Sequence, residues 1–238
     1  MSRLMESLDR LVEGWERYGL DPKRLLPGLG ADDVQERIRR ASGLEPTNEV
    51  VEWFGFADGH NRELFQGGRV DHEFGLVPPL RMASLAFGED SWLLFEQYQQ
   101  DAALEHNLEP AEAAALPAFT DREIGYFPDT SYFPVASSNS PTSLAVRLAA
   151  GLFPGPPVGS AVAVCSYGEV WISVVWPSLA DFVNEAAWLH LTDQVTRFEP
   201  GTNLWAYDGP TRLLGSANEQ LARPLPEVQA FFGDTTGS

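Results

Sequence analysis

Residues 161–191 read AVAVCSYGEVWISVVWPSLADFVNEAAWLHL, and this stretch decides the fold class. Ala161–Cys165 and Val170–Val175 are β-branched and aromatic runs on either side of a turn containing Tyr167-Gly168. Such runs suit a pleated, half-buried surface, and a short Gly-containing link between them favours a hairpin. Pro177 and Ser178 then open a segment through Leu191 in which Leu179, Phe182, Val183, Ala186 and Trp188 supply the apolar residues of a helix. A hairpin followed at once by such a helix predicts an α+β domain with a mixed or mainly antiparallel sheet.

The same reading extends outward. Ser143–Leu148 and Ser131–Ala136 are expected strands, separated by a polar turn over 137–141. Residues 82–100 read as a helix with Met82, Leu85, Trp92, Leu93, Phe95 and Tyr98 on its apolar side. A further strand is expected around Phe74–Val77, between Gly67-Gly68 and Pro78-Pro79. Three helices are expected before it. The first carries Leu4, Leu8, Leu11, Val12 and Trp15 and ends near Gly19. The second starts after Gly30 with Asp32 or Asp33 as its N-cap and ends at Gly43 as a left-handed cap. The third runs from Glu49 to Phe54, capped by Thr47 or Asn48 and closed by an Asp58-Gly59 turn. After Thr192 the pattern weakens. Trp205 and Tyr207 suggest a last strand, and Thr235–Ser238 is expected to be a disordered tail. No internal repeat or long low-complexity linker divides the 238 residues, so one compact unit is expected.

The chain carries 34 acidic residues against 16 Lys+Arg, a formal net charge of −18. That charge repels nucleic acid and anionic membranes and leaves a basic partner open. It is unevenly spread: residues 82–140 hold ten acids and a single base, Arg122. The plain reading is a solvated surface; the sharper one is a landing surface for a cationic partner. The Met1 segment is charged and amphipathic, and no apolar run approaches the ~18 residues of a membrane helix, so a cytoplasmic protein is expected.

A search for chemistry finds little. Gly151 to Ser160 has glycines but no Gly-Lys-Ser/Thr, and Pro154, Pro156 and Pro157 remove backbone donors from it. Neither a Gly-x-Ser-x-Gly elbow nor a His-Glu-x-x-His helix is present. Cys165 is the one cysteine; it excludes an intramolecular disulfide and, lying in an apolar run, reads as a buried inert thiol. His60, His72, His106 and His190 are scattered. Asp58, His60, His72 and Glu73 are the best candidates for a metal- or carboxylate-dependent enzyme, the alternative reading. No catalytic residue, metal or cofactor is expected.

The run from Leu29 to Asn61 has a charged helix followed by Gly-Leu-Glu-Pro-Thr-Asn-Glu-Val-Val-Glu-Trp-Phe-Gly-Phe-Ala-Asp-Gly-His-Asn. It resembles the opening of the SUKH (Smi1/Knr4-like) superfamily, with Leu44, Pro46, Val50, Trp53, Phe54, Asp58 and Gly59 at the matching motif positions. Tyr132-Phe133-Pro134-Val135-Ala136 resembles that family's aromatic-proline strand, and Leu144–Leu148, the 161–175 hairpin and the helix Ser178–Leu191 take the places of its closing elements. The chain departs from the pattern at Ser140-Pro141-Thr142, where a Gly-Gly-Asp-like turn is usual, and at Arg147, where an acid is often found. The resemblance implies a SUKH-like domain over 29–191 with an acidic insertion near 99–125, an N-terminal helical extension over 1–28 and a C-terminal extension over 192–238.

It also implies a function: a bacterial immunity-type protein, non-enzymatic, that binds and neutralises a cognate protein toxin. A basic nuclease toxin fits the acidic chain, and a general regulatory scaffold is the weaker option. On this reading Pro46, Trp53, Phe54, Asp58, Gly59 and Pro134 are structural. The expected partner surface is the acids of 89–129 with the 137–141 turn, represented by Glu105, Glu109, Asp121, Glu123, Asp129, Tyr132, Ser138 and Asn139. No nucleic acid or membrane is expected as a partner.

Overall fold

The computed structural model describes residues 1–17, 22–60, 80–105, 130–137, 142–151, 155–166, 170–192, 195–197 and 205–207. Within them lie helices α1 (Arg3–Arg17), α2 (Ala31–Ser42), α3 (Asn48–Phe56), α4 (Leu85–Glu105) and α5 (Leu179–Leu191). The strands are β1 (Leu25–Pro27), β2 (Ala57–His60), β3 (Arg81–Met82), β4 (Tyr132–Ser137), β5 (Thr142–Arg147), β6 (Ala161–Ser166), β7 (Val170–Trp176), β8 (Val195–Arg197) and β9 (Trp205–Tyr207). The domain is α+β. Strands β3 to β7 form an antiparallel meander in sequence order, and β1–β2 and β8–β9 are separate two-stranded ribbons. Among the described residues no helix is long and apolar enough to cross a membrane.

The caps explain where the helices start and stop. The Thr47 side chain accepts from Val50 N at the start of α3, as the Ser178 side chain does from Asp181 N at the start of α5. Gly43 ends α2 at φ 72°, a left-handed cap whose N–H donates to the Arg39 carbonyl at 2.9 Å. The start of α2 differs from expectation. Its N-cap is Gly30, with no side-chain bond, and Asp32 and Asp33 fall inside the first turn, where their charge complements the helix dipole.

Three boundaries also move, each because a strand claims residues first. Asp58-Gly59 is not a free turn but part of β2, which pairs with β1 through Leu25 opposite His60 and Pro27 opposite Ala57. Helix α4 begins at Leu85 rather than 82, because Arg81 and Met82 pair with Ser137 and Ala136 of β4. Strand β5 begins at Thr142, opposite Cys165. The strand expected at Phe74–Val77 and the tail Thr235–Ser238 lie outside the described residues.

The core sits mainly on one face of the meander. Phe133, Val135, Leu144, Val146, Ala161, Ala163 and Trp176 meet Leu4, Leu8, Leu11 and Trp15 of α1, Val50, Trp53 and Phe54 of α3, and Phe182 and Val183 of α5. The opposite face buries a smaller cluster of Tyr132, Ala145, Val162, Val164 and Val175 under Phe95 of α4. Period-two alternation along each strand sorts these side chains to their faces. Two ring pairs among the described residues meet edge-on: Trp176 meets Phe182 at 5.0 Å and 78°, and Phe54 meets Phe133 at 6.4 Å and 83°.

Helix α1 belongs to this core and lies along α5. Arg3 pairs with Asp181, Arg10 donates to Asn184 Oδ1 at 3.0 Å, and Arg17 donates to the Leu191 carbonyl. Three arginines seven residues apart therefore stitch one edge of α1 to the first two turns and the last turn of α5, in the same chain direction. Between them the helices close up at Gly14, where an added Cβ would lie 2.6 Å from His190 Cβ. Glu49 of α3 completes the junction by accepting from Leu179 N at 2.8 Å.

Candidate interaction surface

Of the residues singled out as structural motif, Asp58, Gly59 and Pro134 lie at the seat of α4, and Trp53 and Phe54 pack against β4. Pro46 precedes the Thr47 cap that starts α3. Trp53 and Phe54, both buried on α3, face β4: Trp53 Nε1 donates to the Val135 carbonyl at 3.1 Å. Asp58 Oδ1 accepts from Leu85 N at 2.6 Å, so a carboxylate on β2 caps the first turn of α4. Gly59, at φ 80°, lies so close to Ser84 that an added Cβ would be 2.6 Å from its N. Pro134 lies at the β4 irregularity where the register with β5 shifts, and its carbonyl would be 2.6 Å from a Cβ added to Gly88 of α4. These positions do what residue types at strained or crowded places do: they fix the approach of one element to another.

Two further contacts hold α4, and the sequence did not reveal either. Arg37 of α2 donates to Glu89 through Nε at 3.1 Å and Nη2 at 2.6 Å, a bidentate pair about one-fifth exposed on each side. The Glu89 carboxylate keeps the Arg37 guanidinium more firmly protonated than usual, against a smaller opposing effect of burial. Trp92 Nε1 donates to the Thr130 carbonyl at 3.1 Å. With Ser84 Oγ accepting from Phe87 N at 3.3 Å, α4 is fixed at its start, along its inner face and on its α2 side.

The expected partner residues fare unevenly. Glu89, counted among the surface acids, is neutralised by Arg37 and so is not free to meet a partner. Tyr132 does not reach the surface: it is 1% exposed on the second sheet face, with the Arg147 guanidinium 5.5 Å from its ring centroid. Arg147 itself is buried, donating from Nε to the Ala149 carbonyl at 3.1 Å and from Nη1 to the Pro156 carbonyl. The cation standing at that strand position is thus held by main-chain carbonyls of the following loop. Glu105 is in the last turn of α4, and its side chain is outside the description; Glu109, Asp121, Glu123, Asp129, Ser138 and Asn139 lie outside the described residues.

What α4 turns outward corrects the sequence reading most. Leu93, assigned to the apolar core side, is 56% exposed, and Leu94 beside it is 50% exposed. The reason is geometric. Trp92-Leu93-Leu94-Phe95 is a run of four apolar residues, and at about 100° per residue a helix cannot turn all four inward. Trp92 and Phe95 take the core. The signal was present in the sequence as an unbroken apolar run with no polar residue to mark the wet face.

Chemistry remains sparse among the described residues: no group of three or more His, Cys, Asp or Glu there could hold a metal. Asp58 is engaged as a helix cap, and His72 and Glu73 lie outside the described residues. No protein-family model matches the chain, and no curated protein matches it.

Proposed function

We propose that the chain is a non-enzymatic binding protein, and more specifically a cytoplasmic immunity-type protein that neutralises a cationic protein toxin by covering its working surface. The observation that carries this reading is the charge of one region: ten acids and a single base within residues 82–140, in a chain of net −18. A toxin that works on phosphate-bearing substrates needs a cationic face, and an acidic protein competes for that face directly. Complementary charge accelerates encounter, and buried side chains at the contact then set how long the complex lasts. Occlusion of this kind needs no nucleophile, base or metal.

The resemblance to the SUKH superfamily supports the same reading. Its motif residues here are spent on architecture: Trp53 and Phe54 fill the core, and Asp58 and Gly59 seat α4. That leaves binding to the surface they organise. The test is to read the adjacent open reading frames for the toxin domain this reading expects there and to co-produce the chain with it. Relief of toxicity and a complex that weakens steeply with salt are expected; persistent toxicity with no complex at low salt refutes the reading.

A further inference from the structure

We infer that the outward face of α4, built from Ala86, Asp90, Leu93, Leu94 and Gln97, is the surface that receives the partner, and that the partner presents an apolar side chain ringed by Lys or Arg. The inference rests on the binding-protein reading above and names the surface that reading requires.

Three observations meet on this face. The first is apolar area in a rigid place. Ala86, Asp90, Leu93, Leu94 and Gln97 recur at spacings of three and four, so they form one stripe, and all five are exposed. At its centre, Leu93 and Leu94 are about half exposed. The other large exposed apolar residues among those described, Met1 and Val158, stand singly in the sequence, one just before α1 and the other in a turn.

The second is preorganisation. The Asp58 cap, the Arg37–Glu89 pair, the Trp92–Thr130 bond and the close approach of Gly88 to β4 hold the helix from the start to its middle. A surface that is already fixed loses little freedom on binding. The architecture invests several contacts in presenting one helix, and that helix ends up with leucines facing water.

The third is charge, which selects the occupant. The 21 residues of α4 include Glu89, Asp90, Glu96, Asp101 and Glu105 and no Lys, Arg or His. Glu89 is neutralised by Arg37, which leaves Asp90 exposed one turn before the leucines and Glu96 half-buried just after them. A second copy of this chain would bring the same net −18 to the contact. A cationic protein gains at the rim and buries its apolar residue at the centre, the arrangement of an interface with a dry core and a polar edge.

The probe is the toxin domain that the proposed function expects among the adjacent open reading frames, purified, catalytically inactivated and titrated against the full chain by surface plasmon resonance at two salt concentrations. Leu93→Ala with Leu94→Ala is expected to weaken binding about tenfold to a thousandfold, mostly through faster dissociation. Asp90→Asn is expected to slow association about two- to tenfold at low salt and to flatten the salt dependence. Val158→Ala, an exposed aliphatic residue elsewhere, should change nothing. Thermal melting identical to wild type confirms that the variants fold, and Leu94→Gln supplies a second probe of the same spot. Wild-type binding that survives both leucine changes overturns the surface while leaving the binding reading intact. Absence of wild-type binding overturns both. Concentration-dependent self-association abolished by the leucine changes assigns the face to a second copy and overturns the cationic partner.

Discussion

Replacing Gly88 by alanine tests how tightly α4 is seated. On propensity alone the change should help, because alanine in a helix interior is favoured over glycine by about 1 kcal/mol. The structure predicts the opposite sign. The new Cβ would sit 2.6 Å from the Pro134 carbonyl oxygen and 2.7 Å from Phe133 Cε1, closer than the 3.0 Å that real Cβ atoms respect. Neither neighbour yields easily, since one is backbone and the other is a ring at 0% exposure that also abuts Phe54. The helix must back away, opening a gap beneath Leu85 and Trp92, and even a gap of about 0.5 Å forfeits roughly a quarter of the local dispersion energy. Overpacking of this kind costs about 1–3 kcal/mol. After the propensity gain, the net loss is about 0–2 kcal/mol, against a gain of about 1 were the site open. For a chain of this size each kcal/mol moves Tm by roughly 2–4 °C. The internal control is Gly55 of α3, whose added Cβ meets only the Leu29 carbonyl at an ordinary 3.7 Å. Gly55→Ala should raise Tm by roughly 2–4 °C through helix propensity. Calorimetry on both variants separates the cases: if Gly88→Ala stabilises as Gly55→Ala does, the close approach of α4 to β4 is wrong.

The stitching of α1 to α5 gives a second measurement. Asp181→Ala removes a nearly buried carboxylate that also accepts from Ser178 Oγ at 2.7 Å, for an expected loss of about 2 kcal/mol, whereas Arg3→Ala, at a more exposed end, should cost about 1. A double-mutant cycle in urea should return a coupling near 1 kcal/mol, and additive effects refute the pair. Burial pushes the Glu49 carboxyl above its usual range, against the opposing bonds from Leu179 and Ala180 and with Asp181 adding to the rise. The folded state therefore holds this proton longer than the unfolded chain, so Glu49 lowers stability as pH rises from the ordinary Glu value through the raised one. Stability of Glu49→Gln relative to wild type should improve across that window, and a flat difference contradicts the burial. Trp53→Phe removes the Nε1 donor and part of a buried ring while the Val135 carbonyl keeps the Ala83 N–H at 3.2 Å, for an expected loss of about 1–2 kcal/mol by denaturant unfolding; a neutral result means that bond is dispensable.

Local signals in the sequence were read well where one residue does one job. Thr47 and Ser178 cap helices because a short hydroxyl reaches the amide three residues on, and Gly43 ends α2 because it alone adopts the left-handed cap without cost. The hairpin of β6 and β7 was visible as two β-branched runs about one turn. Sequence reading failed where two elements compete for the same residues. Met82 suits a helix, but the free edge of β4 recruits it, with Arg81, as a strand. Asp58-Gly59 suits a turn, but β1 offers a partner. Pairings between distant segments, such as Arg37 with Glu89 or Arg3 with Asp181, leave no mark on either neighbourhood, so the clamp on α4 and the membership of α1 in the core were invisible. The exposed Leu93-Leu94 pair is a different failure: the run Trp92–Phe95 was legible, and periodicity could have shown that a helix must turn part of it to water.

The α1–α5 seam sets an order of events during synthesis. Arg3 waits for Asp181, 178 positions later, and Arg10 for Asn184, 174 positions later. Helix α1 thus waits until those residues are made for the α5 surface that helps to cover Leu4, Leu8, Leu11 and Trp15. At about 5–20 residues per second this is on the order of ten to forty seconds of exposed leucine and tryptophan. Closing so long a loop comes late and slowly, so α1 keeps its apolar face uncovered until α5 is made and docks against it.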